Sequence, residues 1–280
     1  MSWEAINASA DEIRRRIEIQ PTLGLVLGSG LGAFAETLEN PVKIPYAELT
    51  DFPVSTVEGH AGQFVVGTKK GVAVIAMQGR VHSYEGFSPQ QVVFPLRTMW
   101  KLGVNTVILT NATGGVNPSF APGDLMLIND HINFTGKNPL TGPNDERVGP
   151  RFPPMSSLYT PELRDMVKKV ARYQGVKLHE GVYFGVNGPN YETAAEIRMI
   201  RAMGGDVVGM STVHEAIVAK HLSMRLIGIS CVTNKAEGLP GAVLDHNDVQ
   251  EVAAKSSARF TRLIDGVLEA LAEETKSALH

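Results

Sequence analysis

The chain has 280 residues, of which 43% are hydrophobic, enough to bury a sizeable core. Its formal net charge is −3 and its Lys and Arg residues are scattered, so no basic stripe indicates nucleic acid as a partner. The sequence has no apolar run long enough to span a membrane, no secretory signal pattern and one cysteine, Cys231, and we therefore expect a soluble, cytoplasmic protein.

Apolar, β-branched runs alternate with helical patterns along most of the chain. The predicted strands lie at 22–28, 63–77, 105–112, 124–130, 181–188, 206–210 and 225–234. Near-continuous apolar strands are typical of a sheet that is covered on both faces. The run 63–77 has the pattern of an antiparallel hairpin that turns at Lys69-Lys70-Gly71, so we expect a mixed sheet.

Capping signals place helices between these strands. Ser88-Pro89 and Thr160-Pro161 each combine an N-cap hydroxyl with proline at the first helical position, and Gly103 and Gly175 close the two helices. Further helices are predicted at 11–19, 212–222 and 247–273. The pattern predicts an α/β fold with a single domain over residues 1–280, built on a mixed, twisted β-sheet flanked by helices. The irregular stretch 135–157 is typical of a binding or interface loop.

Polar or small residues follow six of the predicted strands. The clusters occupy residues 28–33, 78–86, 110–115, 188–193, 209–212 and 233–235. Each one alone is compatible with a turn or a helix cap, but the carboxyl ends of strands are where α/β sheets bind ligands. Six such clusters in one chain therefore favour a ligand site.

The first two clusters have features that suit an anion. The sequence Gly-Ser-Gly-Leu-Gly-Ala at 28–33 lets a backbone approach phosphate, although it also fits a tight structural turn or a permissive dinucleotide fingerprint. Strand alternation would point Arg80, His82 and Tyr84 the same way, as a group that could grip phosphate and an adjacent sugar. A solvated strand end remains the alternative for this second cluster.

The histidines do not suggest a metal site. His214 and His221 would lie about 10 Å apart along a helix, too far to share one zinc ion. We expect no metal site.

Taken in order and spacing, the clusters resemble the trimeric (low-molecular-mass) purine nucleoside phosphorylase family. The resemblance covers roughly residues 21–270 and rests on matching stretches at 27–32, 57–67, 77–86, 110–118, 123–156, 188–193, 207–215 and 232–238. It implies the nucleoside phosphorylase fold and a homotrimer. It also implies reversible phosphorolysis of 6-oxopurine nucleosides or deoxynucleosides, such as inosine and guanosine, to free base and (deoxy)ribose 1-phosphate, in purine salvage or catabolism. Inorganic phosphate would be a co-substrate, and no metal or organic cofactor would be needed.

The resemblance also implies a role for individual residues. Phosphate would be bound by Ser29, His60, Arg80, His82, the backbone of Ala112, and Ser211. The ribose would be lined by Tyr84, Met210, His246 and, from a neighbouring subunit, Phe152. The purine would be bound by Tyr191, Glu192 and Asn234. Asn234, Glu192 and His82 would carry the catalysis, with His82 orienting phosphate rather than acting as a general base. His214 stands where some members of the family have proline and has no assigned role.

Three other functions compete with this interpretation. A methylthioadenosine phosphorylase would share the fold, but it should have an acidic residue at the position of Asn234. A dinucleotide-dependent oxidoreductase would rest on the 28–33 cluster alone. A nucleoside-binding module without turnover would not need phosphate and purine together, whereas the set of Arg80, Glu192 and Asn234 would bind both.

Overall fold

The computed structural model describes residues 2–57, 59–239 and 246–277, with backbone only for 246–250. Within these ranges the chain forms nine strands. They are β1 (Leu23–Leu27), β2 (Glu39–Pro45), β3 (Gln63–Lys69), β4 (Val72–Gln78), β5 (Thr106–Gly115), β6 (Leu125–Asn133), β7 (Leu178–Gly185), β8 (Val207–Gly209) and β9 (Arg225–Lys235).

Seven α-helices are described, together with short 3₁₀ turns. They are α1 (Trp3–Arg14), α2 (Pro89–Val92), α3 (Phe94–Lys101), α4 (Pro161–Tyr173), α5 (Ala194–Ala202), α6 (Val213–His221) and α7 (His246–Ser277). None of the helices in the described ranges is both long and apolar enough to cross a membrane.

The nine strands form one mixed sheet in the order β2-β3-β4-β1-β5-β8-β7-β6-β9, and β9 also pairs with β5. The β9–β5 pairing closes five strands into a ring, in the order β5-β8-β7-β6-β9. The other four strands extend the sheet from β5, in the order β1, β4, β3 and β2. Strands β4, β1, β5 and β9 run parallel to one another, so their carboxyl ends lie at one edge. The predicted mixed α/β sheet is confirmed, as is the antiparallel hairpin of β3 and β4.

The sheet is covered on both faces by apolar side chains. One face packs against α1, α3 and α6 through residues such as Ile13, Phe94 and Ala216. The other face packs against α4 and α7 through residues such as Leu163 and Phe260. Burial on both faces explains why β1 is apolar at every position instead of alternating.

Three details differ from the sequence prediction. The first helix spans Trp3–Arg14 rather than 11–19, because Ser2 caps it by accepting from the N–H of Ala5. The predicted helix after Ser88 divides into α2 and α3 at Val93, since Pro95 has no N–H to continue the ladder. Strand β2 was not predicted; it is a mostly exposed edge strand containing Pro41, which weakens the strand signal.

Candidate active site

A cavity of about 780 Å³ opens where the carboxyl ends of the parallel strands meet. Ten of the residues predicted to bind substrate line it. They are Ser29, Arg80, His82, Tyr84, Ala112, Tyr191, Glu192, Met210, Ser211 and Asn234. The sequence clusters after β1, β4, β5, β8 and β9, and the one before α5, therefore converge on one cavity.

Gly28 allows β1 to approach β5 at the cavity wall. A Cβ atom at Gly28 would lie 2.8 Å from both the Cα of Asn111 and the carbonyl oxygen of Thr110. The Gly28 N–H donates to the Thr110 hydroxyl over 3.1 Å. Small residues here thus serve strand packing and place Ser29 at the cavity. A 3₁₀ helix, Gly32–Thr37, follows this turn.

Arg80 is a fixed cation in the cavity wall, only 2% exposed. Its Nη1 donates to the two carboxylate oxygens of Glu215 over 3.2 and 3.1 Å. Its Nη2 donates to the carbonyl of Thr110. A buried guanidinium needs such partners to offset its desolvation. Glu215 therefore holds Arg80 in place and neutralises it in the absence of a second anion.

Thr212 joins the elements behind the cavity. Its hydroxyl accepts from the Asn111 side-chain amide over 2.8 Å and lies 3.0 Å from the Ser211 hydroxyl. Its N–H donates to Glu215 over 2.8 Å. Its φ of +72° is a conformation that β-branched residues rarely adopt, and such conformations cluster at functional sites. This strained turn places Ser211 at the cavity.

Sequence reasoning missed Glu215 as part of this site. Thr212 and Glu215 form a capping box at the start of α6, and the spacing Thr-x-x-Glu at 212–215 is a readable signal for one. The pattern predicts the helix start. It gives no indication that the same carboxylate also pairs with Arg80, 135 residues away in sequence.

His82 is oriented by Glu85. The Nδ1 of His82 lies 2.9 Å from the Glu85 carboxylate, and the His82 ring stacks on Tyr84 with centroids 4.7 Å apart. Burial lowers the pKa of His82, so the imidazole is neutral at pH 7. Burial alone would raise the pKa of Glu85, but hydrogen bonds from His82 and Thr56 outweigh it and lower that pKa to about 2. A neutral His82 that donates Nδ1–H to Glu85 offers its Nε2 as an acceptor.

His60 lies behind Ser29 and is not part of the cavity wall. Its Nδ1 is 2.8 Å from the carbonyl oxygen of Arg80, and its Nε2 is 3.3 Å from the Ser29 hydroxyl. Burial lowers the pKa of His60 to about 4, so the ring is neutral at pH 7. In this position His60 links Ser29 to the strand end that carries Arg80.

Asn234 and Glu192 line another part of the cavity. Asn234 is 8% exposed; its Oδ1 accepts from the Thr233 hydroxyl over 3.0 Å and its Nδ2 donates to the Lys235 carbonyl over 3.1 Å. The carboxamide is thus fixed with a second Nδ2 hydrogen left to donate. Burial raises the pKa of Glu192, with a smaller contribution from Glu196. Tyr191 beside it is 40% exposed.

Two predicted ribose residues are not among the described side chains that line the cavity. Phe152 is 86% exposed, belongs to the irregular 135–157 stretch, and does not line the cavity of its own chain. Its predicted donation to a neighbouring subunit stays a prediction. His246 begins α7, but its side chain lies outside the described residues.

No group of three or more His, Cys, Asp or Glu side chains is placed to hold a metal ion in the part of the chain that the structure describes. His214, which had no predicted role, lies 3.2 Å from the Thr135 hydroxyl through its Nε2. The expectation that the protein works without a metal or cofactor stays a prediction.

The fold and the cavity are those of a nucleoside-cleaving phosphorylase, and the model of the Phosphorylase superfamily matches residues 22–269. The chain is 52% identical over 265 residues to purine nucleoside phosphorylase 1 of Bacillus subtilis (strain 168), covering 95% of this chain and 98% of the relative. It is 42% identical over 279 residues to the purine nucleoside phosphorylase of Mus musculus, covering 96% of each.

Solved structures agree with these relatives. The Schistosoma mansoni purine nucleoside phosphorylase in complex with inosine superposes with a TM-score of 0.91 at 36% identity, covering 96% of both chains. A schistosoma purine nucleoside phosphorylase in complex with hypoxanthine gives a TM-score of 0.91 at 37% identity, covering 96% of this chain and 97% of that one. This chain belongs to the purine nucleoside phosphorylase family.

Proposed function

We propose that this protein cleaves 6-oxopurine nucleosides such as inosine and guanosine with inorganic phosphate, giving the free base and ribose 1-phosphate. The observation that carries the proposal is one cavity that combines a buried cation, Arg80, with a purine-complementary pair, Glu192 and Asn234. Deoxynucleosides would react in the same way. The reaction needs no metal or organic cofactor, because phosphate itself supplies the nucleophile.

Phosphate would bind beside Arg80, Ser29 and Ser211. The two hydroxyls can donate to its oxygens, and the guanidinium supplies charge from a position fixed by Glu215. The neutral Nε2 of His82 can accept from a protonated phosphate oxygen. Because burial lowers the pKa of His82, it is a weak base, which supports orientation of phosphate rather than proton removal.

In the reaction, a phosphate oxygen bonds to the anomeric carbon of the ribose while the carbon–N9 bond breaks. The electron pair of that bond moves onto the purine, which then takes a proton from solvent. The spare Nδ2 hydrogen of Asn234 would stabilise the charge that develops at N7, as preorganised donors do in other enzymes. Binding both reactants in one cavity supplies the proximity that the displacement requires.

The preference for 6-oxopurines follows from hydrogen-bond complementarity. Inosine and guanosine present an N1–H group, from which ionised Glu192 can accept a hydrogen bond. They also present an O6 acceptor near the Asn234 amide. Adenosine presents a bare N1 acceptor, so the carboxylate would face another acceptor in a partly buried site. Such mispairing can reduce kcat/KM by several orders of magnitude.

The competing functions fit the cavity less well. A methylthioadenosine phosphorylase would need an acid at position 234 to accept from the 6-amino group. A dinucleotide site at residues 28–33 would leave Arg80, Glu192 and Asn234 unexplained. A binding module without turnover would have no use for a phosphate site beside a purine site.

We further propose that the active unit is a homotrimer in which Phe152 closes the ribose end of a neighbour's cavity. The support is the 86% exposure of this large aromatic ring, with Phe134 (50%) and Met155 (38%) also exposed. An apolar ring that is exposed to this degree would be stabilised by burial against a neighbouring subunit. Phe152→Ala should raise the KM for inosine about tenfold or more, whereas Tyr173→Ala, at a 93% exposed aromatic on α4, should not. A monomeric mass in light scattering with full activity would contradict the trimer.

The assay for the reaction is hypoxanthine release from inosine, followed with and without inorganic phosphate. We expect release only with phosphate, together with stoichiometric ribose 1-phosphate. Release without phosphate would indicate a hydrolase. If inosine gives no release but methylthioadenosine is turned over, the protein would be a methylthioadenosine phosphorylase.

A further inference from the structure

A second cavity, of about 910 Å³, lies between α1, α3 and the irregular 135–157 stretch. It shares no lining residue with the active-site cavity. Its walls combine apolar and charged side chains, among them Trp3, Ile6, Arg97, Leu140, Asp145 and His221. The reaction proposed above uses none of these residues.

Arg97 is the unpaired charge of this cavity. It is mostly buried and feels the charge of Asp145, yet within the described ranges its guanidinium makes no hydrogen bond and no ion pair of its own. Asp145 also lines the cavity, but its carboxylate is occupied by Arg147, at 2.8 Å from Nε and 2.6 Å from Nη2. A desolvated guanidinium without a partner is costly, and an incoming anion would remove that cost.

The surroundings of Trp3 add to the positive character. The Lys101 ammonium lies 4.4 Å from a Trp3 ring centroid, and the Arg147 guanidinium lies 4.8 Å from it. Because Arg147 is paired with Asp145, the excess comes from Arg97 in the cavity wall and Lys101 beside Trp3, which outnumber the remaining nearby acid, Glu4, by one charge. The charge excess favours an anion, and the indole and aliphatic walls favour an apolar body.

His221 supports a polar ligand in this cavity. It is 3% exposed and lines the cavity, and neither ring nitrogen has a hydrogen-bond partner among the described residues. The carbonyls of Gly149 and Pro150 lie near the ring without completing a hydrogen bond. Buried orphan nitrogens are rare in folded proteins and are usually explained by water, an ion or a ligand.

We propose that this cavity binds a small organic anion, with its carboxylate or phosphate group on Arg97 and its apolar part against Trp3 and Leu140. Such a molecule supplies the negative charge that Arg97 lacks and covers the apolar wall. The site is separate from the active site and does not depend on the reaction proposed there.

Tryptophan fluorescence tests the proposal directly, because Trp3 and Trp100 are the two tryptophans of the chain and their ring centroids lie 6.4 Å apart. Three probes are titrated: benzoate, phenyl phosphate and, as the neutral match, benzamide. We expect benzoate or phenyl phosphate to change the emission at saturating concentration, and the stronger of the two identifies the anionic group. Benzamide should bind at least tenfold more weakly.

Variants separate this site from the active site. Arg97→Met should weaken anion binding tenfold or more with unchanged turnover of inosine, whereas Arg172→Met, at an exposed arginine on α4, should bind as the unaltered protein does. Ser29→Ala should leave the fluorescence titration intact. Equal binding of benzoate and benzamide by the unaltered protein would overturn the proposal even if Arg97→Met failed to fold. Unchanged anion binding in a folded Arg97→Met would also overturn it.

Discussion

Asn234→Asp tests the role of the carboxamide most sharply. The substitution keeps the size of the side chain and keeps an oxygen to accept from the Thr233 hydroxyl at 3.0 Å. It replaces the amide donor by an oxygen, which would then lie near 3.1 Å from the Lys235 carbonyl, a contact between two acceptors. The donor to the purine is lost, and a negative charge faces a leaving group that becomes negative.

The minimum expected loss of kcat follows from removing the amide donor of Asn234. Removing one preorganised donor from a developing anion costs about 10²- to 10³-fold in kcat, or about 3–4 kcal/mol. Repulsion between the two charges adds to it, so kcat/KM for inosine should fall about 10³-fold or more. The aspartate can accept from the 6-amino group of adenosine, so activity should shift from inosine towards adenosine.

The assay compares initial rates with inosine and adenosine for Asn234→Asp, Asn234→Ala and Asn40→Asp. Asn234→Ala should lose inosine activity without gaining adenosine activity, because it removes the donor and adds no acceptor. Asn40→Asp, at an exposed position of β2, should match the unaltered protein. Unchanged inosine turnover in Asn234→Asp would refute this account of purine recognition.

Glu215→Gln removes the charge that pairs with the buried Arg80, so it should lower the free energy of unfolding of the phosphate-free protein by about 3 kcal/mol. Urea denaturation measures this change. The control, Glu162→Gln at an exposed position, should change the free energy of unfolding little. Burial raises the pKa of Glu192, and only the ionised carboxylate accepts from N1–H. The kcat/KM for inosine should therefore fall as the pH drops through that raised pKa. Glu192→Gln should abolish this fall at low pH. Gly28→Ala should reduce both the melting temperature and the activity, because the new Cβ would lie 2.8 Å from the β5 backbone. At Gly32 the nearest atom to an added Cβ is 3.5 Å away. Gly32→Ala should therefore leave the melting temperature unchanged.

The mixed sheet and the position of the cavity could be predicted from sequence because both depend on local signals. Apolar runs marked the strands, and polar clusters at their carboxyl ends marked the cavity. The convergence of Ser29, Arg80 and Asn234 on one cavity follows from the parallel order of β4, β1, β5 and β9. Edge strand β2 was missed because exposure and proline weaken its pattern.

The interactions that position the site could not be predicted, because they join residues far apart in the chain. Glu215 has the sequence signature of a helix cap, and its pairing with Arg80 depends on how α6 packs against the sheet. The positive φ of Thr212 also has no sequence signal, since β-branched residues disfavour it. The direct phosphate contact of His60 stays a prediction, and the link from its Nε2 to the Ser29 hydroxyl, at 3.3 Å, had no signal in the sequence.

The central claim is that phosphate itself attacks the anomeric carbon, and phosphate labelled with ¹⁸O at all its oxygens tests it directly. Turnover of inosine with this phosphate should give ribose 1-phosphate that retains every labelled oxygen, as measured by mass spectrometry, because the new bond joins carbon to a phosphate oxygen. Sugar phosphate that has lost one labelled oxygen, or unlabelled free ribose as the first product, would contradict the mechanism.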